Sequence, residues 1–185
     1  MTYFISDLHF GHRNILRVDC RPFSTIEEHD EYIINQWNKT VDADDDVWIL
    51  GDVSWYSALK TVNILKRLNG KKHLCVGNHD HKLVKSADFQ QQFVEIVDYK
   101  EISFGDGTDV VLCHYPIPCY NKHFYNWYHL YGHVHATFEW TMIEDFQNQM
   151  REQHQKKSQM YNVGCMMKYM NYRPRTLEEI LEANN

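Results

Sequence analysis

Five short blocks of the chain combine carboxylates, imidazoles and amides at spacings that suit metal or acid/base chemistry. They are Asp7-Leu8-His9, Gly51-Asp52, Gly77-Asn78-His79-Asp80, His114 and Gly132-His133-Val134-His135. Asp, His and Asn together offer oxygen and nitrogen donors of intermediate hardness, which suit Mn, Fe, Zn or Ni better than copper(I) or calcium. Each block alone has an ordinary reading. A D-x-H beside a strand commonly does no more than face solvent, G-D is a common turn, and a single histidine at a strand end is usually just exposed. G-N-H-D is more specific, because Gly and Asn suit a tight turn that does not account for the His-Asp pair. The conjunction of all five in one chain is what gives them weight.

The elements that must position these blocks are short apolar runs alternating with helical patterns, the signature of a layered α/β architecture. Tyr3–Ser6, Val47–Leu50 and His73–Val76 read as the first three strands, and each is followed at once by one of the polar blocks. Val94–Val97, Glu101–Phe104 and Asp109–Cys113 read as further strands, the last two joined by the turn Gly105-Asp106-Gly107. Thr25-x-x-Glu28 has the form of a capping box opening a helix whose apolar positions are Tyr32, Ile33, Ile34 and Trp37. A second helix over Ala58–Leu68 carries Leu59, Val62, Leu65 and Leu68, and stops at Asn69-Gly70. In open α/β sheets ligands bind beyond the carboxyl ends of the strands, so the blocks should converge there.

Composition sets the bounds. The chain has 185 residues, 43% of them apolar and 14% aromatic, and its 12 histidines outnumber its 8 glycines. Average glycine usage of about 7% would give roughly 13. A chain with this much apolar material buries a core and is not disordered, and its length predicts one domain over 1–185. A net charge of −6 argues against holding nucleic acid by a broad basic surface, though bound cations can reverse a local field and admit phosphate. The five scattered cysteines read as reduced thiols. With no apolar run long enough for a signal peptide or a membrane span, a cytoplasmic protein is expected.

The ordered set D-x-H, G-D, G-N-H-D, H and G-H-x-H resembles the calcineurin-like metallophosphoesterase superfamily. More narrowly, Ser6-Asp7-Leu8-His9-Phe10-Gly11-His12, Arg21-Pro22-Phe23, His114-Tyr115-Pro116 and Asn162-Val163-Gly164 are similar to its small bacterial and phage-type branch. The resemblance implies a four-layer α/β/β/α sandwich of two mixed sheets around two divalent metal ions, manganese first, with iron, zinc or nickel as alternatives. It places one ion on Asp7, His9, Asp52 and His135 and the other on Asp52, Asn78, His114 and His133. Two cations about 3.5–4 Å apart repel, and a shared carboxylate with a bridging hydroxide offsets this while lowering the pKa of the water. The resemblance further implies in-line attack of that hydroxide on phosphorus, with His79 protonating the leaving oxygen and Asp80 orienting His79.

Other residues carry weaker signals. His12 stands three residues beyond His9 and, with Arg13, could reach a substrate phosphate. The stretch Tyr115–Tyr131 is dense in rings that either pack in the core or border the site, where Tyr115 would contact substrate and aromatic faces could stack on bases. His29, His73, His81, His123, His129 and His154 read as surface or structural residues. The carboxylates of 42–46 lack the glycine and distal glutamate of a calcium loop and read as a solvated turn.

After His135 the chain departs from the small-phosphoesterase pattern. About 136–160 form an insertion in which Phe138, Met142, Phe146 and Met150 recur every fourth residue, as in an amphipathic helix ending in the charged run of 151–157. It could be a lid, pack on the core or make a dimer contact. The expected activity is hydrolysis of phosphoric esters, diesters before monoesters, on a small phosphate ester or nucleotide and without a membrane partner. A nuclease acting on short DNA or RNA is the alternative within the enzymes, and a non-catalytic metal-binding scaffold the alternative outside them.

Overall fold

The computed structural model describes every residue except Lys157, the last of the charged run after the insertion helix, and Asn185. In chain order the elements are β1 (Thr2–Ile5), α1 (Ile15–Val18), α2 (Ile26–Thr40), β2 (Asp46–Ile49), α3 (Ala58–Leu65), β3 (Lys71–Cys75), a 3₁₀ turn (Asp80–Lys85) and α4 (Ala87–Gln90). There follow β4 (Glu95–Val97), β5 (Tyr99–Ser103), β6 (Asp109–Cys113), β7 (Trp127–Tyr131), α5 (Phe138–His154), β8 (Met160–Asn162) and α6 (Leu177–Asn184).

The strands form two sheets in sequential order, β1-β2-β3-β4 and β5-β6-β7-β8. Pairing among β1–β4 is parallel, and the bridge between Phe4 and Arg175 adds an antiparallel contact at its edge. In the second sheet β5 runs antiparallel to β6, while β6, β7 and β8 are parallel. The period-two alternation of strand side chains divides the second sheet's faces. Val110, Leu112 and Leu130 join Phe4, Ile5, Ile49 and Leu74, together with Ile33 and Trp37 of α2 and Leu65 of α3, in one buried cluster. Val111, Tyr131 and Met160 face the other way, onto Trp140 and Ile143 of α5. The result is the expected α/β arrangement, two sheets with helices on their outer sides.

Local sequence explains the helices that frame the site. Thr25 caps α2 by accepting from Glu28 N–H at 3.1 Å, and Glu28 reaches back to Ser24 N–H at 2.9 Å. Such a cap is worth about 1 kcal/mol. Buried Trp37 donates its indole N–H to Asn69 O at 2.9 Å, so the ring enters the core with its polar atom satisfied.

The insertion is helical, but its buried face matches the predicted one only in part: Phe146 and Met150 are half-buried. Phe138 and Met142 are 72% and 61% exposed, whereas Trp140, Ile143 and Gln147 turn inward. Gln147 decides the docking: its amide accepts from Met160 N–H at 2.8 Å and donates to Met160 O at 3.2 Å. It thereby occupies the open edge of β8, a position that otherwise invites pairing with another chain.

Candidate metal centre

All five polar blocks emerge from the carboxyl ends of β1, β2, β3, β6 and β7. Parallel pairing of β1 and β2 continues past the strands: Asp7 N–H donates to Gly51 O at 3.1 Å, and His9 N–H to Asp52 O at 3.0 Å. The chain after β8 closes the other side, where Ser6 N–H meets Val163 O at 2.8 Å. Two glycines are required for these approaches. A Cβ on Gly51 would lie 2.5 Å from His114 Nδ1, and one on Gly132 would collide with Ser6 Oγ.

The backbone itself marks the place. Asp7, His9, Asp52, His133 and His135 all have φ between +50° and +72°, a left-handed conformation that costs a non-glycine residue about 1–2 kcal/mol. Five of the ten such non-glycine residues among those described thus lie in one small volume. Strain of this kind persists where the surrounding structure enforces it, typically at functional sites.

Two groups of side chains meet at Asp52. In the first, ligand atoms of Asp7, His9, Asp52 and His135 lie within 4.8 Å of one another. His9 Nε2 is 3.6 Å from Asp52 Oδ2 and 3.1 Å from His135 Nε2, which is 3.6 Å from Asp7 Oδ1. In the second, Asn78 Oδ1 lies 2.9 Å from His114 Nε2 and 3.0 Å from His133 Nδ1, while His114 Nε2 is 3.6 Å from Asp52 Oδ1. One carboxylate oxygen of Asp52 therefore faces each group.

The donor chemistry fits divalent cations. His114 Nδ1–H donates to Leu50 O at 2.7 Å, which leaves Nε2 as the nitrogen turned toward Asn78 Oδ1, and a cation held by both atoms would satisfy them. Burial, reinforced by nearby cationic groups, lowers His9 well below the usual range and also lowers His133, keeping both in the ligating neutral form. His135 moves the opposite way. Burial opposes its charging, but the hydrogen bond to Asp19 and the charges of Asp7 and Asp19 outweigh it and raise its pKa. Asp52 is raised by burial and by Asp7, against the pull of His114. The pocket thus has carboxylates in want of positive charge.

Several contributors lie outside the five polar blocks, and of these only Arg21 stands in a motif the sequence offered. His135 Nδ1 lies 2.7 Å from Asp19 Oδ1, and Asp19 Oδ2 is held by Arg21 at 2.9 Å. Arg21 also donates to Asp7 O at 2.9 Å and sits 2.9 Å from His29 Nε2, whose other nitrogen is 2.9 Å from Asp30 Oδ1. Trp55, likewise unflagged by its sequence context, stacks on His12 with centroids 4.0 Å apart and 9° between planes, and lies 4.2 Å from His79.

The remaining expected residues fall as follows. His79 is exposed, with its N–H on Asp52 Oδ1 at 3.0 Å. Asp80 is fully buried, and its carboxylate does not meet the His79 ring: it accepts from Gly77, Asp52 and Val53 N–H, each at 2.9 Å. It clamps the loops after β2 and β3 together, so any hold on His79 runs through the backbone. Burial pushes its pKa up to about 6 despite these bonds. His12 Nδ1 is 3.3 Å from His9 Nδ1, and the Tyr115 ring packs 4.7 Å from that of His133, so both border the cluster. Arg13 does not: its side chain is 82% exposed and lies 3.7 Å from Glu27. A larger cavity of about 740 Å³, bordered by Met1, Phe104 and Leu181, lies at the other end of β1.

Comparison with known proteins agrees with this layout. A family model described as calcineurin-like phosphoesterase matches residues 2–167. An uncharacterized protein of Methanocaldococcus jannaschii is 31% identical over 182 residues, covering 97% of this chain and 89% of that protein. The gene 66 protein of Mycobacterium phage L5 is 34% identical over 131 residues, 62% of this chain and 63% of its own length. A crystal structure of a protein of unknown function from Aquifex aeolicus superimposes with a TM-score of 0.72 at 26% identity, covering 99% of this chain and 98% of that one.

Proposed function

Because the chain belongs to the calcineurin-like phosphoesterase family, and so to metal-dependent hydrolases, we propose that it hydrolyses phosphoric esters, diesters before monoesters, with two divalent cations, manganese first. The observation that carries this reading is the division of Asp52, Oδ2 toward His9 and Oδ1 toward His114, each at 3.6 Å. Asp7, His9, Asp52 and His135 would hold one ion, and Asp52, Asn78, His114 and His133 the other. When bound, the ions supply Lewis acidity toward the phosphate oxygens and a water of lowered pKa.

The chain's own groups do the rest. Neutral Asn78 in place of a third carboxylate leaves the loaded site positive enough to attract a phosphate, which reconciles an anionic substrate with an acidic chain. His79 stands at the mouth of the site, where its ring can protonate the departing oxygen. Proton transfer of this kind contributes about 10²–10⁴-fold. Asp80 fixes the loop that carries His79, and His12 and Tyr115 flank the substrate.

Among the described residues no helix is long and apolar enough to cross a membrane, and none of the five cysteines is paired. We take 1–185 to work as one domain in a reducing, cytoplasmic setting. The deciding experiment assays the metal-reconstituted protein on bis-aryl phosphates, cyclic nucleotides and oligonucleotides, with Asp52→Asn as control. Hydrolysis that needs metal and is lost in Asp52→Asn is expected, and preference for oligonucleotides would make it a nuclease. Metal binding with no hydrolysis of any substrate would leave the non-catalytic scaffold.

A further inference from the structure

A cavity of about 300 Å³ opens beside His79, lined by Trp55, Tyr56, Asn78, His79, His81 and Lys82 among others. It shares Asn78 and His79 with the centre described above, so a group filling it lies against the side chain that would protonate the departing oxygen. The walls are built before any ligand arrives. The Trp55 indole is fixed by its stack on His12, and the Tyr56 ring by Lys60 Nζ, 3.5 Å from its centroid. Such preorganisation lowers the entropic cost of binding. The floor is steady too, because the 3₁₀ turn bearing His81 and Lys82 is anchored by buried Asp80 at its start and buried Leu83.

The charge of the cavity is distinctive. Lys82 is exposed and forms no ion pair among the described residues, and His81 is exposed beside it. A cation outside any ion pair among the described residues, lining the same cavity as two aromatic rings, suits a ligand that presents both an anion and a flat apolar surface. The volume lies at the lower end of small-molecule sites, roughly 300–1,000 Å³, which admits one ring-bearing unit rather than a stack of them.

We propose that this cavity receives the leaving half of the substrate and that it selects a leaving alcohol carrying an aromatic base and a phosphate of its own, that is, a nucleotide. The inference rests on the proposed phosphodiester hydrolysis. In that reaction the hydroxyl of water bonds to phosphorus, the bond from phosphorus to the leaving oxygen breaks, that oxygen takes a proton from His79, and the proton given up by the water passes to solvent, from which His79 is reprotonated. Lys82 pairs with the second phosphate, which takes no part in the chemistry.

The test compares thymidylyl-thymidine with its two singly phosphorylated forms, bearing the extra phosphate at the 5′ or the 3′ end. Whichever ester bond breaks, one form puts that phosphate on the leaving nucleoside. This form is expected to exceed the plain dinucleotide in kcat/KM by about fivefold, mainly through KM, as a partly exposed charge pair of about 1 kcal/mol allows. Lys82→Ala should abolish the advantage while leaving the plain dinucleotide and bis(4-nitrophenyl) phosphate unchanged within about twofold. A readout free of turnover is calorimetric binding of thymidine 5′- and 3′-monophosphate to metal-free protein, which Lys82→Ala should weaken. An advantage that survives Lys82→Ala, or an equal loss on all substrates, would overturn the inference while leaving the hydrolase reading intact. Failure of the wild type to hydrolyse even bis(4-nitrophenyl) phosphate with metal would overturn the proposed function and this inference with it.

Discussion

The Nδ1 atom of His135 lies 2.7 Å from Asp19 Oδ1, a carboxylate 116 residues away in sequence. Because the carboxylate can only accept, this contact directs the Nδ1 proton of His135 toward Asp19 and leaves Nε2 as the nitrogen that faces Asp7 and would meet a cation. Asp19 is simultaneously held by Arg21, which also donates to the backbone of Asp7. One buried carboxylate thus sets the tautomer of one candidate ligand and steadies the arginine that pins another.

Asp19→Asn, which keeps the shape but removes the charge, should lower metal affinity or activity by about 10–100-fold, the usual cost of losing such a partner. Metal titration of the purified variant, with circular dichroism to show that it is folded, checks this. Unchanged affinity and activity would mean that Asp19 serves only Arg21.

His79→Ala should keep the metal content of the wild type and lose about 10²–10⁴-fold in turnover. Elemental analysis and steady-state kinetics on one preparation separate the two effects. Retained turnover would remove His79 from the chemistry.

Asp80→Ala should act on the fold more than on the reaction. It strands three buried N–H groups, those of Gly77, Asp52 and Val53, at roughly 1–3 kcal/mol apiece. A stability loss of at least about 3 kcal/mol in urea is expected, and one below about 1 kcal/mol would show that the loops do not depend on the clamp.

His129 predicts a pH dependence away from the metal centre. Its Nε2 accepts from Ile117 N–H at 3.0 Å, its Nδ1 lies 3.1 Å from Val111 O, and burial lowers its pKa from 6.5 to about 4. The unfolded chain therefore binds the proton more readily, so stability rises with pH across this window. The neutral ring's contribution is fully present above about 6.5 and lost as pH falls toward 4, a difference worth about 3 kcal/mol. The advantage of wild type over His129→Gln in denaturant midpoint should narrow over that interval, whereas a constant difference would contradict the assignment.

The parts of the site that were legible in the sequence are those where a polar block interrupts an apolar strand, as Asp7 and His9 follow Tyr3–Ser6. Their convergence follows from parallel topology alone. Asp19 and Trp55 are not legible in this way, since a lone Asp in a turn and a lone Trp after G-D-V-S carry no periodicity. Nor does the chain announce the left-handed backbone at His133 and His135, because glycine does not mark those positions. The aromatic density of 115–131 conceals β7, where Tyr128 and His129 read as rings rather than as strand residues. In α5 the apolar repeat from Phe138 to Met150 marks the buried face only in its second half, where Phe146 and Met150 are half-buried, because the hydrogen bonds of Gln147 to β8, a polar interaction, help set the rotation of the helix.

The most direct test titrates manganese into metal-free protein while following hydrolysis of bis(4-nitrophenyl) phosphate, for wild type and Asp52→Asn. The expected result is activity that rises to a plateau at two equivalents of metal per chain and is abolished in Asp52→Asn. Activity without metal, or a plateau at one equivalent that Asp52→Asn leaves unchanged, would contradict it.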